Sequence, residues 1–481
     1  MRYLATFLVL GLSTAHGCAG PSRDRAVTAG DDSEISTEVL RAHVAVLAAD
    51  SLSGRYSPSA GLNKAARYAA DQLRASGWEP LHNDGSLVRF WPNSFTRLDL
   101  TRASLTAEGC GQTARLEAGL DLMPMYAGVD EAQGAPVLLA STAEVGGGSS
   151  KGRFPVVRVS GGDPSALVHE GMARALTAGA VAFAVVVPDT APELTPRLAE
   201  GLSRMNHTGI GVSATIVSNR GWLILEQLID RCPTASLVWR GRVRVDSGPV
   251  PNVVAVLEGR DPRLRHEHVV LSAHLDHEGV GLPDATGDSI YNGADDNASG
   301  VALVLSVAQA LRNDPPRRSV IVLLPGGEEQ GMRGTRHFAD RPPVDWSNIV
   351  ANVNVDGVGR ASQKDTVSAA GFEYSTLGAT VAAVLESHPE VGLTVVPDQW
   401  PQLRIFEFSD QIVFARGGIP SIFFTSTGPD RHYHQPSDQL ETLDFDHLKR
   451  LAHLVLWTTR AVADAGTPPQ WDSKARERIV Q

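Results

Sequence analysis

The chemistry of this chain is concentrated where short apolar runs end. The run 268–273 leads straight into His274-Leu275-Asp276-His277, and the run 319–325 leads into Gly326-Gly327-Glu328-Glu329. The run 349–355 ends on Asp356-Gly357. A further acidic pair stands in Gly293-Ala294-Asp295-Asp296-Asn297, and His432-Tyr433-His434 follows the run 420–425. An isolated Asp-Asp is most often a turn, and an isolated Glu-Glu most often a solvated helix start. Here each group closes a stretch apolar enough to be a buried strand, where charge has no structural use, so together they read as a site. Imidazole nitrogen with carboxylate oxygen, and no competing thiol, suits a borderline divalent metal such as zinc. Several carboxylates with two histidines can hold two ions if one carboxylate bridges them. Such a pair lowers the pKa of a shared water and clamps a tetrahedral intermediate. His274-x-Asp276 also offers the imidazole a carboxylate partner that fixes its tautomer.

These groups need elements that bring them to one edge. From Asn252 onward, apolar runs alternate with helical segments at 299–312, 375–387 and 446–463, the pattern of an α/β sandwich around a mostly parallel sheet. In such a sheet ligands bind outside the carboxyl ends of the strands, which is where the histidines and carboxylates fall. Upstream, Leu62, Ala65, Ala66, Ala69, Ala70 and Leu73 keep helical spacing up to a stop at Gly77. Residues 86–124 read as short strands. Residues 125–245 break into short β-type runs between Gly, Pro and Ser clusters, with one helix-like stretch at 165–178, and read as a small β-rich domain of their own. Residues 36–124 and 246–465 then form the main domain, and 466–481, polar and proline-containing, a loose tail.

The motifs His274-Leu275-Asp276-His277, Gly293 to Gly300, Gly327-Glu328-Glu329, Asn354-Val355-Asp356 and Tyr433-His434 resemble, in order, those of the co-catalytic di-zinc aminopeptidases. That group includes bacterial leucyl and streptomyces-type aminopeptidases and the glutamate carboxypeptidase relatives. The resemblance spans about 250–465. It implies a three-layer α/β/α sandwich and two Zn2+ ions. His274 and Asp356 would hold one ion, Glu329 and His434 the other, and Asp296 would bridge them through a cis peptide to Asn297. Glu328 would be the general base and Asp276 would orient His274. The 125–245 segment would be a protease-associated insert. The chain departs from the family at Gln411, where relatives carry His after Ser409-Asp410; this touches substrate contacts and leaves the ligand set intact. His277 and His432 are expected around the ligands, His266 and His268 at a strand edge or the surface and not as ligands, and Asp438 as a loop or helix cap. Asp295 is the rival of Asp296 for the bridge, and Asp410 could approach the pocket.

The rest of the sequence bounds the setting. The 481 residues, 42% hydrophobic and 20% charged, are enough for two or three domains. A net charge of -11, with no basic run, argues against nucleic acid and anionic membranes as partners. Arg2 and the apolar stretch 4–12 have the form of an export signal, too short to span a bilayer. Residues 1–18 are expected to be that signal and 19–35 a flexible tether. Gly17-Cys18 resembles a lipoprotein cleavage site, so anchoring through Cys18 and plain secretion are both open. With Cys18 set aside, Cys110 and Cys232 can form a disulfide or stay as two thiols. The expected function is an exported aminopeptidase acting on peptides. A dipeptidase or carboxypeptidase on the same scaffold, a one-zinc glutaminyl cyclase and a receptor-like module that has lost catalysis are the alternatives, and the complete ligand set argues against the last two.

Overall fold

The computed structural model describes residues 35–481 apart from 82–83, 120, 127–128, 161–163, 189–211, 282, 285, 401–402 and 429. The expected signal, Cys18 and nearly all of the tether fall outside the described residues. Ile35, placed at the end of that tether, is instead packed into the core.

An 11-stranded sheet organises the main body. Its centre is parallel: Ser319–Leu324, His268–Ser272, Ile349–Val355 and Ser421–Thr425 lie side by side in that order. Antiparallel pairings flank this centre, with Ser236–Leu257 beside Ser319–Leu324 and Thr366–Ala370 beside Ser421–Thr425. The central strands are apolar on both faces because both are covered. Val269, Leu271, Val320, Val322, Ala351 and Val353 face one core. Val270, Ile321 and Leu323 face another. Over the first core lie Thr37–Leu47, Ala60–Ala75, Gly300–Asn313, Leu377–Ser387 and Phe445–Asp464; over the second lie Arg333–Asp340 and Gln411–Arg416. The result is the expected three-layer sandwich. Gly300–Asn313 is buried almost all round, because the helices Thr37–Leu47, Ala60–Ala75 and Phe445–Asp464 pack against it in addition to the sheet.

Among the described residues of 86–124, only Gln112–Glu117 and the start of Leu122–Tyr126 are the short strands expected. Val88–Gly109 is one strand that pairs along its length with Ser236–Leu257, from Val88↔Val253 to Glu108↔Ser236. This ribbon runs through the expected boundary at 245 without a break. At its far end, a five-stranded sheet begins at Leu122–Tyr126 and continues through Ser213–Ser218, Ala182–Val187, Phe154–Arg158 and Pro136–Leu139. Helix Asn219–Arg231 covers one face with Trp222 and Leu225, and helix Pro164–Ala178 covers the other with Val168, Met172 and Ala175. Cys110 and Cys232 are joined by a disulfide, Cα to Cα 5.9 Å.

The expected loose tail is docked. Asp472 caps the helix Ser473–Ile479, the Trp471 indole donates to the Gly418 carbonyl, and Ile479 packs with Phe406 and Ile412. Trp471, Ala475 and Ile479 recur every four residues, an apolar stripe short enough to be hidden by the prolines and charges around it.

Candidate metal centre

Each motif sits in a loop that the sheet fixes from below. His274 to His277 leave the end of strand His268–Ser272, with the Leu275 amide donating to the Pro325 carbonyl of the neighbouring loop. The adjoining strand end supplies Glu328 and Glu329, and the next supplies Asp356. Asp295 and Asp296 form an irregular turn ahead of helix Gly300–Asn313, with a cis peptide between Asp296 and Asn297. Asp438 receives the backbone amides of both, at 3.1 and 3.2 Å, and so acts as the cap expected of it. The Asn297 amide oxygen in turn caps the Gly300 amide at 3.1 Å.

The side chains converge around Asp296. Its Oδ1 is 3.2 Å from His274 Nε2, and its Oδ2 is 2.9 Å from His434 Nε2. Asp356 Oδ1 lies 3.3 Å from the same His274 nitrogen, and Glu329 Oε2 3.3 Å from the same His434 nitrogen. Asp296 thus straddles two donor sets. His274, Asp296 and Asp356 form one and His434, Glu329, Asp296 and His277 the other, the offered atoms of each lying within 4.8 Å of one another. Glu328 shares a third such group with His274 and Glu329.

Neighbouring groups hold this arrangement. The Ser409 hydroxyl donates to Asp356 Oδ2 at 2.8 Å. His277 Nδ1 lies 2.9 Å from Glu329 Oε1, which leaves Glu329 Oε2 buried without a hydrogen-bond partner. Asp276 accepts the Glu328 amide at 3.1 Å and the Ser57 hydroxyl at 3.1 Å, and its backbone oxygen lies 3.2 Å from His274 Nδ1. Burial pushes the Asp276 carboxyl up to about 6. Burial opposes protonation of His274 and His434, but Asp356 and Asp296 on one side, and Glu329 and Asp296 on the other, outweigh it and raise both rings well above the usual range. Asp296 and Glu329 shift down despite burial, because His277 and His434 stabilise their charged forms. Positive charge is what this cluster wants, and among the described residues no lysine or arginine pairs with Asp296, Glu329 or Asp356.

Other expectations resolve in detail. Asp295 turns away from the centre, its carboxylate meeting Arg360 at 3.3 Å. Gln411 is fully buried beneath the sheet end, accepting from the Asn354 amide at 2.8 Å and donating to the Phe406 carbonyl at 2.8 Å, so its side chain serves the scaffold and not a substrate. Asp410 is buried and held by the Thr335 hydroxyl at 2.5 Å. His268 is buried at the first position of its strand and belongs to none of the donor groups among the described residues.

Two contributors were not singled out from sequence. Arg55, in a segment that reads as a turn, is wholly buried and donates to the carbonyls of Leu275, Leu47, Asn292 and Gly293 at 2.5–2.9 Å. One guanidinium thereby ties together the loops that carry His274 and Asp296. Gln330 receives the Asn93 amide at 2.6 Å and donates to the Ser57 carbonyl, which links the long ribbon to Asp276 through Ser57. Neither residue carries a local pattern that separates it from an ordinary turn or surface residue.

The sandwich, with its cluster of histidines and carboxylates at the strand ends, has the α/β architecture that zinc exopeptidases share. Residues 252–459 match Peptidase family M28, and over that span the likeness to the co-catalytic zinc exopeptidases holds. The chain is 25% identical over 276 residues to a probable zinc metalloprotease of Leptosphaeria maculans, covering 51% of this chain and 60% of that protein. It is 28% identical over 179 residues to aminopeptidase YwaD of Bacillus subtilis, covering 36% of this chain and 38% of that protein. The chain therefore spans less than two thirds of the length of these curated relatives. The fold is similar to that of an aminopeptidase from Aneurinibacillus sp. strain AM-1, with a TM-score of 0.63, 18% identity, and coverage of 91% of this chain and 96% of that one.

Proposed function

We propose that this chain is an exported, zinc-dependent aminopeptidase that uses two metal ions to hydrolyse N-terminal peptide bonds. The observation that carries the reading is the Asp296 carboxylate, divided between His274 on one side and His434 on the other. The donor set fits zinc: imidazole nitrogens and carboxylate oxygens without thiols, with the orphaned Glu329 Oε2 aimed into the cluster. His274 and Asp356 would hold one ion, Glu329 and His434 the other, and Asp296 would touch both. When bound, the ions supply a water acidic enough to lose a proton near neutral pH and positive charge for the peptide carbonyl oxygen. Glu328, anchored through its amide to Asp276, would act as general base, taking a proton from the attacking water and passing it to the departing amine. Asp276 holds the tautomer of His274 that leaves Nε2 free for metal.

The disulfide and the signal-like N-terminus support an oxidising destination, periplasmic, secreted or anchored to the envelope through Cys18. The unit at the end of the ribbon is the protease-associated insert of this reading. Its test is chromophore release from a panel of aminoacyl anilides, before and after chelation and zinc return, with N-acetylated substrates beside free ones. Zinc-dependent cleavage that requires the free amine supports the proposal. Zinc-dependent cleavage of C-terminal or dipeptide substrates alone would replace it with the carboxypeptidase or dipeptidase reading.

A further inference from the structure

His434 enters the cluster through Nε2, 2.9 Å from Asp296 Oδ2 and 3.3 Å from Glu329 Oε2. Its other nitrogen, Nδ1, is buried and makes no hydrogen bond. The Glu278 Oε1 lies 3.4 Å from it. An imidazole that offers Nε2 to a cation carries its proton on Nδ1, and a buried N–H needs an acceptor. On the opposite side His274 is built the same way, with Nε2 toward Asp296 and Asp356 and Nδ1 on Asp276, 3.2 Å from the backbone oxygen and 3.8 Å from Oδ1. One short segment therefore addresses both histidines. The chain is pinned just beyond Glu278: Gly279–Val280 pairs with Ile290–Tyr291, and Gly279, at φ +85°, lies so close to Tyr56 that a Cβ would come within 2.6 Å. The Glu278 side chain is 15% exposed, screened enough for a specific contact to count.

We propose that Glu278 is a positioning residue for His434. Its carboxylate accepts the Nδ1 proton, fixes the ring's tautomer and orientation, and so sets the affinity of the His434–Glu329 half of the centre. The inference rests on the two-metal reading. It assigns the acidic residue two places beyond Asp276 the same task for the second histidine that Asp276 has for the first.

The test is zinc affinity, read by competition with a chromogenic chelator, with stoichiometry by elemental analysis and melting of the chelated protein as the fold control. In Glu278→Ala one of two zinc ions should bind about 10–100-fold more weakly while the other is unchanged. Glu278→Gln, whose amide oxygen still accepts from Nδ1, should bind both ions to within a few-fold of the parent. Glu278→Leu, which keeps the volume without the acceptor, should behave as the alanine variant does and serves if that variant melts early in chelator. Undiminished affinity in the alanine and leucine variants overturns the proposal, as does equal weakening by glutamine and alanine. A parent protein that binds no zinc overturns instead the two-metal reading beneath it.

Discussion

Asp295 and Asp296 are neighbours in sequence, both buried, and they belong to opposite kinds of charge cluster. Asp295 shares Arg360 with Asp430 and Asp438, at 3.3, 3.0 and 2.6 Å. A fixed cation sits among those carboxylates, held above its usual range by them despite burial. Asp296 shares its cluster with Glu329 and Asp356, and among the described residues the ion-pair partners of these three carboxylates are histidines. Burying a carboxylate is costly unless a positive charge accompanies it. In the first cluster the chain brings its own; in the second it leaves the place to a partner from solution. Two buried acidic groups one residue apart thus separate scaffold from reaction by the origin of the compensating charge.

The largest expected effect comes from withdrawing that solution partner. Chelation should abolish peptide hydrolysis while the far-UV spectrum stays native, and zinc should restore it; activity that survives full metal removal would erase the distinction between the clusters. Next is Glu328→Gln, expected to lower kcat roughly 10²–10⁴-fold with zinc content unchanged, checked by steady-state rates beside elemental analysis. The scaffold cluster should answer in stability. Arg360→Met leaves Asp295 and Asp438 without their cation and should cost about 3–5 kcal/mol in urea unfolding, in chelated and zinc-loaded protein alike. If that loss appears only with zinc present, the two clusters are one system.

The smallest effect is a pH dependence. Burial pushes the Asp410 carboxyl up to about 7, with the Thr335 hydroxyl as its partner. Between about pH 4 and 7 the folded chain holds a proton that the unfolded chain has released, so this group lowers stability as pH rises through that window. Asp410→Asn keeps an oxygen for Thr335 and removes the titration. Its melting temperature relative to the parent, both chelated, should climb from pH 4 to 7 and then level; a constant difference would place the pH dependence on other groups.

What could be read from the sequence follows the range of the interactions. The strand-end motifs were legible because each is local: an apolar run sets the strand, and the next residues must lie at its end. Asp296 over Asp295 came from the family pattern, since nothing local tells which of the two will meet Arg360, 64 to 65 residues further along. Arg55 was invisible because its hydrogen bonds reach Leu275, Asn292 and Gly293, more than 200 residues away, and its own neighbours look like any turn. The tail was misread because three apolar residues spaced by four carry a weak signal until Phe406 and Ile412 supply the surface they dock on. The ribbon reads as short strands because its prolines and polar residues look like breaks, although Pro92 faces Pro249 within a continuous run of pairs from Val88↔Val253 to Asp99↔Arg242.

That ribbon has a consequence for how the chain is assembled. The polypeptide departs along Val88–Gly109 and comes back along the strand hydrogen-bonded to it, Ser236–Leu257. Topologically the whole excursion is a single hairpin whose loop, residues 110–235, has grown large enough to hold a sheet and helices of its own. Its two ends stay side by side, so the main sheet keeps the same strand order whatever that loop contains.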